Sequence, residues 1–186
     1  LAPSKLSGYN TCPSASAGCA FACLNTAGRG GFDKKIPLAR IRKTVQFFEH
    51  RSDFMLQLVR DVQSAVRSAA RKGLTPVFRL NGTSDIRWEN VPIDLTDKVG
   101  RGKNQTIVTY RADNIMALFP SVQFYDYTKI ANRKNIPSNY DLTFSYSGVA
   151  AYQPFVKQAI KNNMRLAVVF RSRSIVEEML AKAQTF

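Results

Sequence analysis

The stretch "MRLAVVFRSRSIVEEMLAKA", residues 164–183, sets a continuous apolar run beside an amphipathic one. "RLAVVF" shows no polar alternation, which is how a strand buried in a parallel sheet reads. "SIVEEMLAKA" is built from helix formers behind Ser174, a serine placed to cap it. Moving outward, the same alternation recurs. "PFVKQAIKNN" predicts a helix, "YDLTFSYS" and "VQFYDY" predict strands, and "ADNIMALFP" predicts a helix stopped by Pro120. "TPVFRLNG", residues 75–82, predicts a short buried strand ending in a polar turn. "TIVTY" reads as a short extended piece, and residues 86–105 read as loop, with the basic "KVGRGKN" inside.

Two helices precede these strands. Leu38, Ile41, Val45 and Phe48 recur at helical spacing behind Pro37, and Phe54, Leu58, Val62 and Val66 form a second stripe between a Ser52 cap and Gly73. Strands alternating with helices define the α/β class. The expectation is a small partial (β/α) barrel or a short parallel sheet flanked by helices, preceded by a cysteine loop. A full eight-unit barrel takes about 250 residues and is excluded for a chain of 186. One domain, 1–186, is expected, divided into a cysteine loop at 1–35 and an α/β body at 36–186.

Composition narrows the function. Lys and Arg number 27 against 13 Asp and Glu, for a formal charge of +14. That balance favours a polyanionic partner such as nucleic acid, although the charges are scattered along the chain. Arg29, Lys34, Lys35, Arg40, Arg42, Lys43, Arg101 and Lys103 are the candidates to meet phosphates. No apolar run reaches membrane-spanning length and no signal-peptide pattern is present, so a cytoplasmic protein with no membrane partner is expected. Motifs of the G-x-S-x-G, H-E-x-x-H and G-x4-G-K-[ST] types are missing, and the single histidine leaves little for a hydrolase.

The strands share one feature at their carboxyl ends. Asn81, Thr83, Ser84 and Asp85 follow the first, and Asp126, Tyr127 and Lys129 close another. Ser145 and Arg171 end two more. Parallel α/β proteins place ligand sites on that edge, so these residues are candidates for a pocket, for a small-molecule or a nucleic-acid ligand. Arg79, Asp126 and Arg171 stand inside apolar runs and are expected to need partners.

All three cysteines lie within twelve residues, spaced C-x6-C-x3-C as Cys12, Cys19 and Cys23. Cys19 and Cys23 share a face on a helical turn. An odd number of thiols argues against a disulfide framework. Three soft donors suit zinc or an iron–sulfur cluster, and three buried structural cysteines are the plain alternative. The paired spacing of structural zinc is missing, and His50 is read as an ordinary helix-end histidine. The reading favoured is a [4Fe–4S] cluster with one iron left open to the pocket.

"NTCPSASAGCAFACLNTAGRG", "RLNGTSDIRWE", "VQFYDYTK" and "YDLTFSYS" together resemble the bacteriophage family called "gene product 88". The resemblance implies a viral protein acting in the host cytoplasm. More distantly, the chain is similar to radical S-adenosylmethionine enzymes, in which three cysteines bind a [4Fe–4S] cluster at the mouth of a partial barrel. That resemblance implies S-adenosylmethionine as a cofactor and sets "LNGTSD" where a glycine-rich turn meets it. The usual cysteine spacing there is C-x3-C-x2-C, shorter than here. Two functions stay open: a viral iron–sulfur protein, redox or radical-type, and a basic nucleic-acid-binding protein with a structural zinc. Whether either is an enzyme is left open by the sequence.

Overall fold

The computed structural model describes residues 1–100 and 102–183. The cysteine segment forms only one-turn helices, α1 (Ser4–Ser7), α2 (Ala17–Phe21) and α3 (Arg29–Phe32). Two long helices follow, α4 (Lys35–Glu49) and α5 (Arg51–Arg71). The His50 backbone, at φ −129°, breaks them apart. Ser52 therefore lies inside α5 and does not cap it, while Asp53 sits in the first turn, where the helix dipole favours a carboxylate. The buried residues are Thr44 and Phe47 on α4, and Met55, Val59 and the expected Val62 on α5, while Phe48, Phe54, Leu58 and Val66 of the expected stripes are partly buried against the core. Leu38 is exposed.

The central sheet contains β1 (Val77–Arg79), β4 (Gln123–Thr128), β5 (Tyr140–Ser145) and β6 (Arg165–Ala167), all parallel, in the order β1-β4-β5-β6. The expected short parallel sheet is the arrangement found, and among the described residues no barrel closes. Only β5 and β6 are joined through a long helix, α7 (Gln153–Lys161). The β1-to-β4 connection instead contains an antiparallel hairpin, β2 (Ile93–Val99) with β3 (Thr106–Ala112), and the short α6 (Ile115–Leu118). This hairpin occupies much of the stretch expected to be loop. Its signal was strict alternation disguised by charge: Ile93, Leu95 and Asp97 face inward, and Asp94, Thr96 and Lys98 face out. Asp97 holds its inward place by pairing with Arg60 of α5. At the hairpin turn Gly100 has φ +108°, and a Cβ there would come within 2.3 Å of the Asn104 carbonyl oxygen.

"TPVFRLNG" and "RLAVVF" correct two expectations of burial, because both strands are edges. Val77 is 53% exposed and Val169, beyond β6, is 96% exposed. The buried strand is β4, and only on one side. Phe124, Asp126 and Thr128 are buried while Gln123, Tyr125 and Tyr127 are exposed. Phe124 and Tyr140 pack in one apolar cluster with Phe47, Met55, Val59 and Trp88. Phe144 packs with Val156 and Ala159 of α7 in a second. Helices thus cover one face of the sheet. The last helix, α8 (Arg173–Ala183), leaves Ile175, Met179 and Leu180 exposed.

Candidate functional site

A cavity of ≈ 190 Å³ opens at the carboxyl edge of the sheet. Cys12, Cys19 and Cys23 all line it, together with Thr83, Lys129 and Ser145. The chain reaches this arrangement through backbone ties. The Asp85 amide donates to the Thr11 carbonyl at 2.7 Å, and the Cys12 thiol to the Thr83 carbonyl at 3.8 Å. Ser16 caps α2 by accepting from the Cys19 amide at 3.2 Å. The Tyr152 hydroxyl donates to the Ser14 carbonyl at 3.1 Å, pinning the loop to the far end of the chain. Burial pushes the Cys12 thiol up to about 11, helped by Asp85 and the two other cysteines.

Asn81, Ser84 and Asp85 also border the cavity, but their polar atoms are already engaged. Asn81 Oδ1 accepts from the Ser84 hydroxyl, the Ile86 amide and the Trp88 indole, at 2.9 to 3.0 Å. Asp85 accepts from the Thr128 hydroxyl at 2.7 Å and the Lys129 amide at 2.8 Å. Burial nevertheless raises its pKa above the ordinary carboxylate value. These residues shape the rim. The groups left to meet a ligand are Tyr127, Lys129 and Ser145, whose exposure is partial or greater, while the Thr83 hydroxyl donates to the Leu1 carbonyl. The Lys129 ammonium donates to the Ser145 carbonyl at 3.1 Å.

Asp126 and Arg171 lie elsewhere. Asp126, 1% exposed, points to the helix side of β4, where it accepts from the Asn81 amide at 2.6 Å and the Tyr140 hydroxyl at 2.7 Å. Burial lifts its pKa to about 6. Arg171 is exposed beyond β6. Arg79 is exposed as well, and its guanidinium stands 5.0 Å over the Tyr127 ring, so β1 needs no buried counter-ion for it. The sequence reading missed the pair beneath the rim. Arg133 and Glu89 form a buried ion pair, with Tyr140 at 3.3 Å and Asp85 at 3.6 Å from the guanidinium. A glutamate beside the lone tryptophan was its only trace in the sequence.

Among the described basic candidates, Arg29, Lys34, Lys35, Arg42, Lys43 and Lys103 are exposed. Arg40 is a tether, donating to both oxygens of Asn25 at 2.9 and 3.0 Å. Arg101 lies outside the described residues. No helix among the described residues is long and apolar enough to cross a membrane.

The fold and cavity define an α/β protein whose three thiols gather at the carboxyl edge of a parallel sheet. The family described as gene product 88 matches residues 1–184, and the chain belongs to this bacteriophage family. No curated protein and no solved structure matches it, so the likeness to radical S-adenosylmethionine enzymes gains no support from them.

Proposed function

We propose that this phage protein binds a [4Fe–4S] cluster through Cys12, Cys19 and Cys23, leaving one iron open to the cavity. The observation that carries the reading is that all three cysteines line one cavity, with Thr83, Lys129 and Ser145. Among the described residues no group of three or more His, Cys, Asp or Glu side chains is placed to hold a metal ion, so the reading rests on the cavity lining and on the soft thiol donors alone. The loop is held by hydrogen bonds such as those of Asp85 to Thr11 and of Tyr152 to Ser14, and not by an apolar core. Phe21 is 88% and Leu24 61% exposed, so little apolar burial orders it.

When bound, the cluster supplies an electron or a Lewis acid. The chain's own residues do the rest. Lys129 places a positive charge at the rim for an anionic ligand group, and the Ser145 and Tyr127 hydroxyls offer hydrogen bonds to orient it. Cys12 must lose its proton to become a ligand, and burial, by holding that proton, opposes loading increasingly as pH falls. S-adenosylmethionine is the cofactor to titrate once a cluster is present.

The test is metal content and absorption of protein purified without oxygen. About four irons and four sulfides per chain, with a broad band near 400 nm that Cys12→Ala removes, are expected. A colourless protein carrying one zinc would overturn the reading.

A further inference from the structure

Among the described residues, the face of the sheet turned away from the helices is left uncovered. In register across the strands it presents Val77 beside Gln123, Arg79 beside Tyr125 and Asp141, and Tyr127 beside Thr143 and Arg165. Tyr125 and Tyr127 are 38% and 41% exposed on a central strand. A parallel sheet is ordinarily covered on both faces, so an open one carrying two aromatic rings calls for an occupant.

We propose that this face binds single-stranded nucleic acid, with bases stacked on Tyr125 and Tyr127. Three observations point to that partner. Two aromatic rings two residues apart on one strand form a stacking platform, and an open sheet with such rings suits unpaired bases, whose faces a duplex hides. The charge is complementary: Asp141 is already paired with Arg165, while the Arg79 guanidinium stands over the Tyr127 ring. The whole chain carries +14 for the phosphates. Third, Thr143 flanks the rings with a hydroxyl able to hydrogen-bond a base edge without demanding one sequence. Tyr127 lines both this face and the cysteine cavity, so a strand lying here runs toward the thiols. The proposal does not require that any metal be bound.

The experiment is fluorescence anisotropy of the full chain with a labelled oligothymidylate of about 20 nucleotides, longer than one such surface covers. The same length of duplex serves as comparison. Single strand is expected to bind more tightly than duplex, and to weaken steeply between about 50 and about 200 mM salt. Tyr125→Ala and Tyr127→Ala are each expected to weaken it about tenfold, and the corresponding Phe variants to keep it, since stacking needs the ring and not the hydroxyl. Both rings are substantially exposed, so the thermal midpoint of each Ala variant checks that the fold is retained. Wild-type affinity in the double Ala variant would place binding on the basic helices and overturn the proposal. So would a dimer, seen by sedimentation, that the same substitutions dissociate, because a second copy would then cover the face. Repeating the titration with Cys12→Ala separates the two readings: unchanged binding there leaves the cluster question untouched.

Discussion

Asp126 is a carboxylate placed where water cannot reach it. Burial raises its pKa from 3.8 to about 6, against hydrogen bonds from Tyr140 and Asn81 that pull the other way. The folded chain therefore holds this proton more tightly than the unfolded chain does. Its stabilising effect is complete below about pH 4 and is lost as pH rises through about 6, a swing of about 3 kcal/mol. Asp126→Asn is expected to flatten the thermal midpoint across that window, read by calorimetry at half-unit pH steps. A slope unchanged from wild type would mean that another group titrates. The sequence made Asp126 look like a pocket residue because it ends an apolar strand. Alternation decides otherwise: in β4 the side chain at 126 shares a face with Phe124 and Thr128, not with Tyr127. Asn81 shows the same limit. Its polar character was legible, but the donors that occupy its amide oxygen come from a turn whose path only folding sets.

At the scale of elements, the long helices and β4, β5 and α7 were legible because each has one repeating pattern over enough residues to show it. The hairpin was not, because Asp97 breaks the apolar face of β2 and finds its partner 37 residues earlier in Arg60. Ile93 is 1% exposed and packs with Met55, Val59 and Trp88. Ile93→Ala is expected to cost about 2–5 kcal/mol of stability, through lost burial and the cavity left behind. Urea unfolding followed by far-ultraviolet dichroism and by Trp88 fluorescence measures it. A loss below about 1 kcal/mol would mean that the hairpin is not part of the cooperative core. The edges β1 and β6 were misread for the opposite reason. An apolar run looks the same whether neighbours flank it on both sides or on one, and neighbours belong to topology.

Across the whole molecule, the apolar core and the cysteine cavity are separable. Neither buried cluster contains a residue of the 12–23 loop. On the proposed cluster reading, a strong chelator is therefore expected to leave the helical dichroism intact while opening the loop to protease, with cuts between Cys12 and Arg29. Mass spectrometry of the fragments locates them. Loss of dichroism on chelation would show that the metal holds the sheet as well. The formal charge of +14 acts at this scale too, attracting a polyanion without specifying where it lies.

By itself the sequence determined the α/β class, the order of the main helices and strands, the gathering of thiols near one end and the basic balance. Each of these follows from local pattern or composition, which need no knowledge of neighbours. Only the tertiary structure decided that the thiols meet the carboxyl edge of the sheet, that Asp126 and Arg133 lie beneath it, and that one face stays uncovered among the described residues. Those outcomes depend on strand order and on which residues of distant segments come into register. Chain distance says nothing about that until backbone hydrogen bonds such as Asp85 to Thr11 close the loop.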